Sequence, residues 1–100
     1  MKGVEVCVFS VDDAFAAEAA GAARLELCCD YHVGGITPPW DELQRMSPLF
    51  HSDLPEMRGL RIQAVVMVRE RGGNFLYSKK EKKWMMDAIV KIAKLGYQGV

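Results

Sequence analysis

The order of β-favouring and helical segments constrains this chain more than any other feature of its sequence. Three short runs rich in β-branched and apolar residues, at 3–9, 24–29 and 61–68, alternate with three helical patterns. Such an alternation favours parallel strands joined by helical crossovers. The sequence therefore predicts a β-α-β-α-β-α arrangement of the α/β class.

Capping residues bound the first and third predicted helices. Ser10 suits the N-cap of a helix that runs to about residue 20, where Gly21 can adopt the left-handed conformation that ends it. Ser78 and Glu81 have the spacing of a capping box, and apolar residues then repeat at helical spacing until Gly96.

The second helix is predicted from Thr37 and Pro38, which suit a cap and a first-turn proline. We expect this helix to run to about residue 46, because prolines interrupt the segment that follows. Residues 47–59 are therefore predicted to form a loop, which leads into the buried third strand.

A short sequence pattern occurs twice and predicts where the chain stops within its fold. Residues 20–25 lead from a helix through a glycine into the second strand, and residues 95–100 repeat this form. By this analogy a fourth strand begins near Gln98, and residues 1–100 are expected to be part of one longer domain. Three strands would leave an unpaired edge and an uncovered face, which predicts self-association.

Glutamate and cysteine recur at alternate positions of the first two strands. Because side chains alternate between the faces of a strand, Glu5 shares a face with Cys7, and Glu26 shares one with Cys28. The aliphatic faces should pack against helices, with Cys29 on that side, and the Glu-x-Cys faces should point together into a barrel interior or second layer. Neighbouring strands lie about 5 Å apart, which would bring the two thiols together. Such thiols suit a soft ion such as Cu(I), although cysteines also serve as small core residues.

Two arginines follow the third strand with a common parity, and they are the predicted partners of the two carboxylates. A buried carboxylate is costly unless it is paired, and Arg69 and Arg71 are the nearest cations by this geometry. One interpretation is a structural ion network that includes Glu5 and Glu26. The other is a site at the carboxyl ends of the strands, with Thr37 a helix cap first and a ligand second.

Composition excludes several classes of function. Lys plus Arg and Asp plus Glu are both 13, and the resulting net charge of zero argues against a nucleic-acid-binding surface. No apolar stretch approaches the ~20 residues that cross a bilayer, and Glu5 interrupts the only apolar run near the N-terminus. Three cysteines do not match a secreted disulfide framework. We therefore expect a cytoplasmic protein with reduced thiols and no nucleic-acid or membrane partner.

Four motifs together resemble the CutC family, known as copper homeostasis proteins. They are Val-Glu-Val-Cys-Val at 4–8, Arg-Leu-Glu-Leu-Cys at 24–28, Gly-Gly-Ile-Thr-Pro at 34–38 and Val-Arg-Glu-Arg-Gly-Gly-Asn-Phe-Leu-Tyr-Ser at 68–78. The resemblance implies a TIM (β/α)8 barrel, of which this chain covers the first three βα units, since such a barrel needs about 250 residues. Glu70 departs from the family pattern, which usually has proline there.

The resemblance also implies a function in copper handling. Cys7 and Cys28 match the family's cysteines that are proposed to hold copper, so the expected ligand is a copper ion, as Cu(I). The expected location is the cytoplasm.

A rival interpretation is an enzyme of unknown reaction on a small anionic metabolite. Arg69 and Arg71, with Thr37, would bind the anion, and Glu5 or Glu26 would serve as the acid–base group. A third alternative is that a chain of this length has no activity of its own.

Overall fold

A computed structural model describes residues 3–51 and 59–100 of the chain. Strands and helices alternate in the predicted order, with one added 3-10 turn after the second strand. The elements are β1 (Glu5–Val8), α1 (Val11–Ala19), β2 (Arg24–Leu27), the 3-10 turn (Tyr31–Val33), α2 (Trp40–His51), β3 (Gln63–Val66) and α3 (Lys79–Lys94).

The three strands form one parallel sheet in the order β1-β2-β3. Each strand is joined to the next through a helix, so the architecture is that of an α/β partial barrel. Apolar side chains of the strands pack with side chains of the three helices, which confirms the predicted role of the aliphatic strand faces. The buried core consists of Val8, Ala14, Leu25, Leu27, Leu43, Met46, Phe50, Leu60, Ala64, Val66, Ile92 and Tyr97.

The predicted caps of the first and third helices are both formed. The Ser10 side chain accepts a hydrogen bond from the backbone N–H of Asp13 at 3.0 Å. At the start of α3, Ser78 and Glu81 each accept a hydrogen bond from the other's backbone N–H, which is the predicted capping box. These bonds satisfy N–H groups that have no partner within the helix.

The repeated glycine pattern also has the predicted structural meaning. Gly21 and Gly96 both have a positive φ, of 95° and 90°, and each follows the end of a helix. After the second of them, the backbone N–H of Val66 donates to the carbonyl of Gly99 at 3.1 Å. Gly99 thereby forms a parallel bridge with Val65 on β3, close to the position where the fourth strand was predicted to begin.

The predicted start of the second helix was wrong. The helix begins at Trp40, and its first hydrogen bond joins the N–H of Leu43 to the carbonyl of Pro39. Thr37 lies outside the helix because its hydroxyl accepts a hydrogen bond from the backbone of Arg69, 32 residues later. A long-range contact has replaced the local cap.

The predicted end of the second helix was also wrong. α2 continues through Pro48 to His51 rather than ending near residue 46. Proline removes one helical hydrogen bond, but Leu49 and Phe50 pack against the core and stabilise the last turn. The rest of the predicted loop, residues 52–58, lies outside the described residues.

Two faces of α3 differ in their surroundings. Ala88 and Ile92 are buried in the core, whereas Met86 and Val90 are more than half exposed. Even this helix, the longest of those described, is too short and too polar to cross a membrane, and the same holds for every other described helix.

Candidate metal centre

Cys7 of β1, Glu26 of β2 and Cys28, which directly follows β2, come together on one side of the sheet. One ligand atom of each of Cys7, Glu26 and Cys28 lies within 4.8 Å of the other two. This confirms that the Glu-x-Cys faces of the two strands point together. The register shows that Cys7 lies opposite Glu26, so Cys28 is the diagonal neighbour of Cys7 rather than its lateral partner.

The cluster is exposed on one side and buried on the other. Cys7 is exposed, whereas Cys28 retains only 6% of its accessible surface. Between them, the Glu26 carboxylate accepts a hydrogen bond from the Cys28 thiol, with 3.5 Å between Sγ and Oε1. Two soft sulfur donors and one oxygen donor therefore face a common space.

Burial and the glutamate charge keep both thiols protonated. Burial, followed by the nearby negative charge of Glu26, raises the pKa of Cys28 to about 12. The same two causes raise the pKa of Cys7. A metal ion that binds as a thiolate complex must therefore displace protons, which couples affinity to pH.

The third cysteine lies outside this cluster. The backbone of Cys29 pairs with Ile36 in an antiparallel bridge, and its thiol donates to the carbonyl of Thr37 at 3.5 Å. Burial and the negative charge of Glu42 raise the pKa of this thiol. Cys29 is thus a thiol outside the cluster, and its substitution can serve as a control for Cys7 and Cys28.

The predicted cation partner of Glu5 was wrong. Glu5 lies opposite Arg24 in the β1–β2 register, and the Arg24 guanidinium donates twice to one Glu5 oxygen, at 2.6 and 3.0 Å. Arg24 shares its strand parity with Glu26, and this signal was present in the sequence. The face on which a side chain lies does not identify its partner, because the register between the two strands decides which residues are adjacent.

Arg69 is buried without a carboxylate partner among the described residues. Its guanidinium donates to the carbonyls of Val33 at 2.8 Å, Gly35 at 3.1 Å and Gly73 at 2.9 Å. The ring of Phe75 lies 4.9 Å from the guanidinium carbon. The predicted ion pair of Arg69 with a strand glutamate is therefore absent, because backbone carbonyls take its donors.

Thr37 connects the segment after β2 to the end of β3. Its hydroxyl accepts from the N–H of Arg69 at 2.9 Å, and its own N–H donates to the Arg69 carbonyl at 2.9 Å. Thr37 is buried in this position. Its predicted role as a substrate ligand stays a prediction, and its hydroxyl here belongs to this backbone connection.

Arg71 forms its ion pair with Glu81 of α3, not with a strand glutamate. The guanidinium donates to both Glu81 oxygens, at 2.5 and 3.3 Å, and this contact lowers the pKa of Glu81. It also donates to the carbonyls of Asn74 and Leu76, at 2.7 Å each. Arg71 therefore organises the turn between β3 and α3, and its predicted anion-binding role stays a prediction.

Comparisons with known proteins agree with this fold. A sequence model of the CutC family matches residues 2–100. A "family protein CutC" of Yersinia pestis (strain Pestoides F) is 39% identical over 100 residues, which are all of this chain and 35% of that protein. Its counterpart in Pasteurella multocida (strain Pm70) is 36% identical over 97 residues, which are 97% of this chain and 36% of that protein.

A solved structure is similar along nearly the whole chain. It is a crystal structure of CutC from Streptococcus agalactiae, described as a candidate copper homeostasis protein, and it covers 99% of this chain and 44% of its own. The TM-score is 0.77 and the sequence identity is 30%. The chain spans about a third of the length of the curated relatives it matches. On the family match and these likenesses, the chain belongs to the CutC family.

Proposed function

We propose that this chain acts in copper homeostasis by binding Cu(I) through Cys7 and Cys28. The observation that carries the proposal is the cluster itself, in which both sulfur atoms and a Glu26 oxygen lie within 4.8 Å of one another. The description of the Streptococcus agalactiae relative as a candidate copper homeostasis protein supports it.

The donor set fits a soft monovalent ion. Thiolates match Cu(I) better than they match hard ions such as Mg²⁺, which prefer oxygen ligands. Two thiolates and Cu(I) give one net negative charge, so the carboxylate of Glu26 adds charge that the complex does not need. In this proposal the two cysteines are the ligands, and Glu26 accepts the Cys28 hydrogen bond and passes the displaced proton to solvent.

The proposal includes the cellular setting and the larger fold. Cu(I) and free thiols are maintained in a reducing compartment, so the proposed location is the cytoplasm. Residues 1–100 would supply the first three βα units of a CutC barrel, and the cluster would lie on the inner face of its sheet.

A competition titration against a chromogenic Cu(I) chelator, under anaerobic and reducing conditions, tests the proposal. The wild-type chain should bind one Cu(I) tightly, and Cys7→Ser or Cys28→Ser should remove this site. Cys29→Ser is the matched control and should keep it, because Cys29 lies outside the cluster. A Cu(I) affinity equal to that of the wild type in both the Cys7 and Cys28 variants would refute the proposal.

The enzyme interpretation receives no specific support from the geometry. Arg69 and Arg71 already donate to carbonyls and to Glu81, so an anion would have to displace these contacts. The assignment of Glu5 or Glu26 as an acid–base group stays a prediction. A thermal-shift screen with phosphorylated and carboxylated metabolites, repeated on Arg71→Ala, is its direct test.

A further inference from the structure

A glycine turn covers the buried side of the cysteine cluster. A Cβ atom added at Gly35 would lie 3.5 Å from the Cβ and 3.7 Å from the Sγ of Cys28, and 3.8 Å from the ring of Phe9. The backbone of Gly35 therefore packs directly against Cys28. Gly34 and Gly35 both have positive φ, of 85° and 96°, a conformation that favours glycine.

Backbone hydrogen bonds to Asp30 and Tyr31 form this turn, and one side chain ties it to the rest of the structure. The Nη1 atom of Arg69 donates to the carbonyls of both Val33 and Gly35, and Nη2 reaches across to the carbonyl of Gly73. Hydrogen bonds from a charged donor are stronger than neutral ones, and these are largely shielded from water because Arg69 is only 5% exposed. The guanidinium thus ties the turn after β2 to the turn after β3.

The charge of Arg69 favours one position of the Val33–Gly35 turn over others. No carboxylate lies within 4.0 Å of it in the part of the chain that the structure describes, and its Nε atom is buried without a hydrogen-bond partner. The carbonyl dipoles of Val33, Gly35 and Gly73, together with the ring of Phe75, are therefore what balances the buried cation. A shift of the turn would leave that cation unsatisfied, which is strongly unfavourable.

The geometry points to Arg69 as a positioning residue that keeps the Val33–Gly35 turn over Cys28, so that a metal ion enters at Cys7 and reaches Cys28 second. The metal-loading part rests on the proposed copper site, whereas the shielding of Cys28 does not. Each copper–sulfur bond replaces one sulfur–hydrogen bond and releases one proton to solvent, and copper remains Cu(I) throughout.

Thiol alkylation without metal tests the shielding. In a Cys29→Ser background, iodoacetamide should modify Cys7 much faster than Cys28. Because Arg69→Met removes both guanidinium hydrogen bonds to the turn, it should raise the Cys28 rate by about tenfold or more while leaving the Cys7 rate within about twofold. Arg71→Met is the matched control, because Arg71 donates to the turn after β3 and to no carbonyl of residues 33–35, and its Cys28 rate should stay well below that of Arg69→Met.

Global unfolding must be separated from local opening. Ile92→Ala removes a buried core side chain of α3, which is not part of the turn, so it reports how much Cys28 labelling comes from loss of stability alone. The Cys28 rate in Arg69→Met should exceed the rate in Ile92→Ala at equal free energy of unfolding. An unchanged Cys28 rate in folded Arg69→Met overturns the inference. If that variant does not fold, Arg69→Lys provides the test, since a single ammonium group cannot reproduce the several hydrogen bonds of the guanidinium. An unchanged Cys28 rate in Arg69→Lys would also overturn the inference.

Copper exchange provides the second readout. Stopped-flow transfer of Cu(I) from the loaded chain to a chelator should be several-fold faster in Arg69→Met than in Arg71→Met, because the opened turn exposes the Cys28–copper bond. Equal transfer rates would contradict the proposed order of loading. Absence of copper binding by the wild-type chain would refute the copper proposal and leave the alkylation result standing, so the two failures are distinguishable.

Discussion

Cys7 on β1 lies directly opposite Glu26 on β2, so an exposed thiol and a carboxylate occupy neighbouring positions on the same face of the sheet. The carboxylate also accepts the hydrogen bond of the buried Cys28 thiol. Glu26 is therefore shared by both cysteines, and its charge raises the pKa of each. After burial, the charge of Glu26 is the largest cause of the raised pKa of both thiols.

Copper affinity should rise steeply with pH. Both thiols have raised pKa values, with Cys28 at about 12, so both are protonated near neutrality and both lose a proton when Cu(I) binds. Between about pH 6 and pH 8 the association constant should increase by about a hundredfold per pH unit. Competition titrations at several pH values measure this slope. A flat profile would show that the thiols are not the ligands.

Glu26→Gln should tighten copper binding at neutral pH. Removing the carboxylate charge lowers the pKa of Cys28 and of Cys7, so less free energy is needed to deprotonate them. The expected gain is several-fold in affinity, with faster alkylation of Cys28. Glu42→Gln is the matched control, because the charge of Glu42 raises the pKa of Cys29 instead. Weaker binding in Glu26→Gln would make the carboxylate a ligand.

Two isoleucines on α3 should differ sharply in their effect on stability. Ile92 is 1% exposed in the core, and Ile92→Ala should lower the free energy of unfolding by about 2–5 kcal/mol. Ile89 is 43% exposed, and the same substitution there should cost less than about 1 kcal/mol. Urea denaturation followed by circular dichroism gives both values. Similar losses would mean that α3 does not present this face to the core.

The Arg71–Glu81 ion pair should contribute stability that acid removes. The contact lowers the pKa of Glu81 below its ordinary value of 4.5, so its stabilisation is fully present above that value and is lost as pH falls through the folded pKa. Glu81→Gln should therefore be less stable than wild type at pH 7, and the difference should shrink as the pH falls below 4.5. In a double-mutant cycle with Arg71→Met, additive losses at pH 7 would argue against the pair.

A polypeptide of residues 1–100 should self-associate. Within the described residues β1 pairs only with β2, so its other edge presents unpaired backbone groups. The apolar side chains of Phe75 and Leu76, just before α3, are also exposed. Light scattering coupled to gel filtration should show a mass that rises with protein concentration. A monomer mass across a concentration series would refute this prediction.

Local patterns in the sequence predicted most of the fold. The caps at Ser10 and Ser78 and the glycines at Gly21 and Gly96 were predicted correctly, because each depends on neighbouring residues only. The second helix was predicted less well. Its start depends on whether the Thr37 hydroxyl bonds locally or to the distant Arg69 backbone, and no local signal decides that choice.

The candidate site was predicted in its faces but not in its pairings. Alternation in the strands was enough to bring Cys7, Glu26 and Cys28 together. It could not specify the register, which places Arg24 rather than Arg69 beside Glu5. The carbonyl partners of Arg69 could not be predicted from the sequence either, because every residue carries a backbone carbonyl and residue type does not indicate which one accepts a hydrogen bond.

The pairing of Gly99 with β3 has a consequence for the space around the cluster. Cys7 is level with Glu26, Glu26 with Val65, and Val65 with Gly99, so one transverse row runs from thiol to carboxylate to isopropyl group to hydrogen. A Cβ at position 99 would lie 3.2 Å from the Val65 side chain, so there is no room for a side chain at that end of the row. The row is polar at its β1 end and apolar at its Gly99 end, and its sulfur donor, Cys7, lies at the polar end.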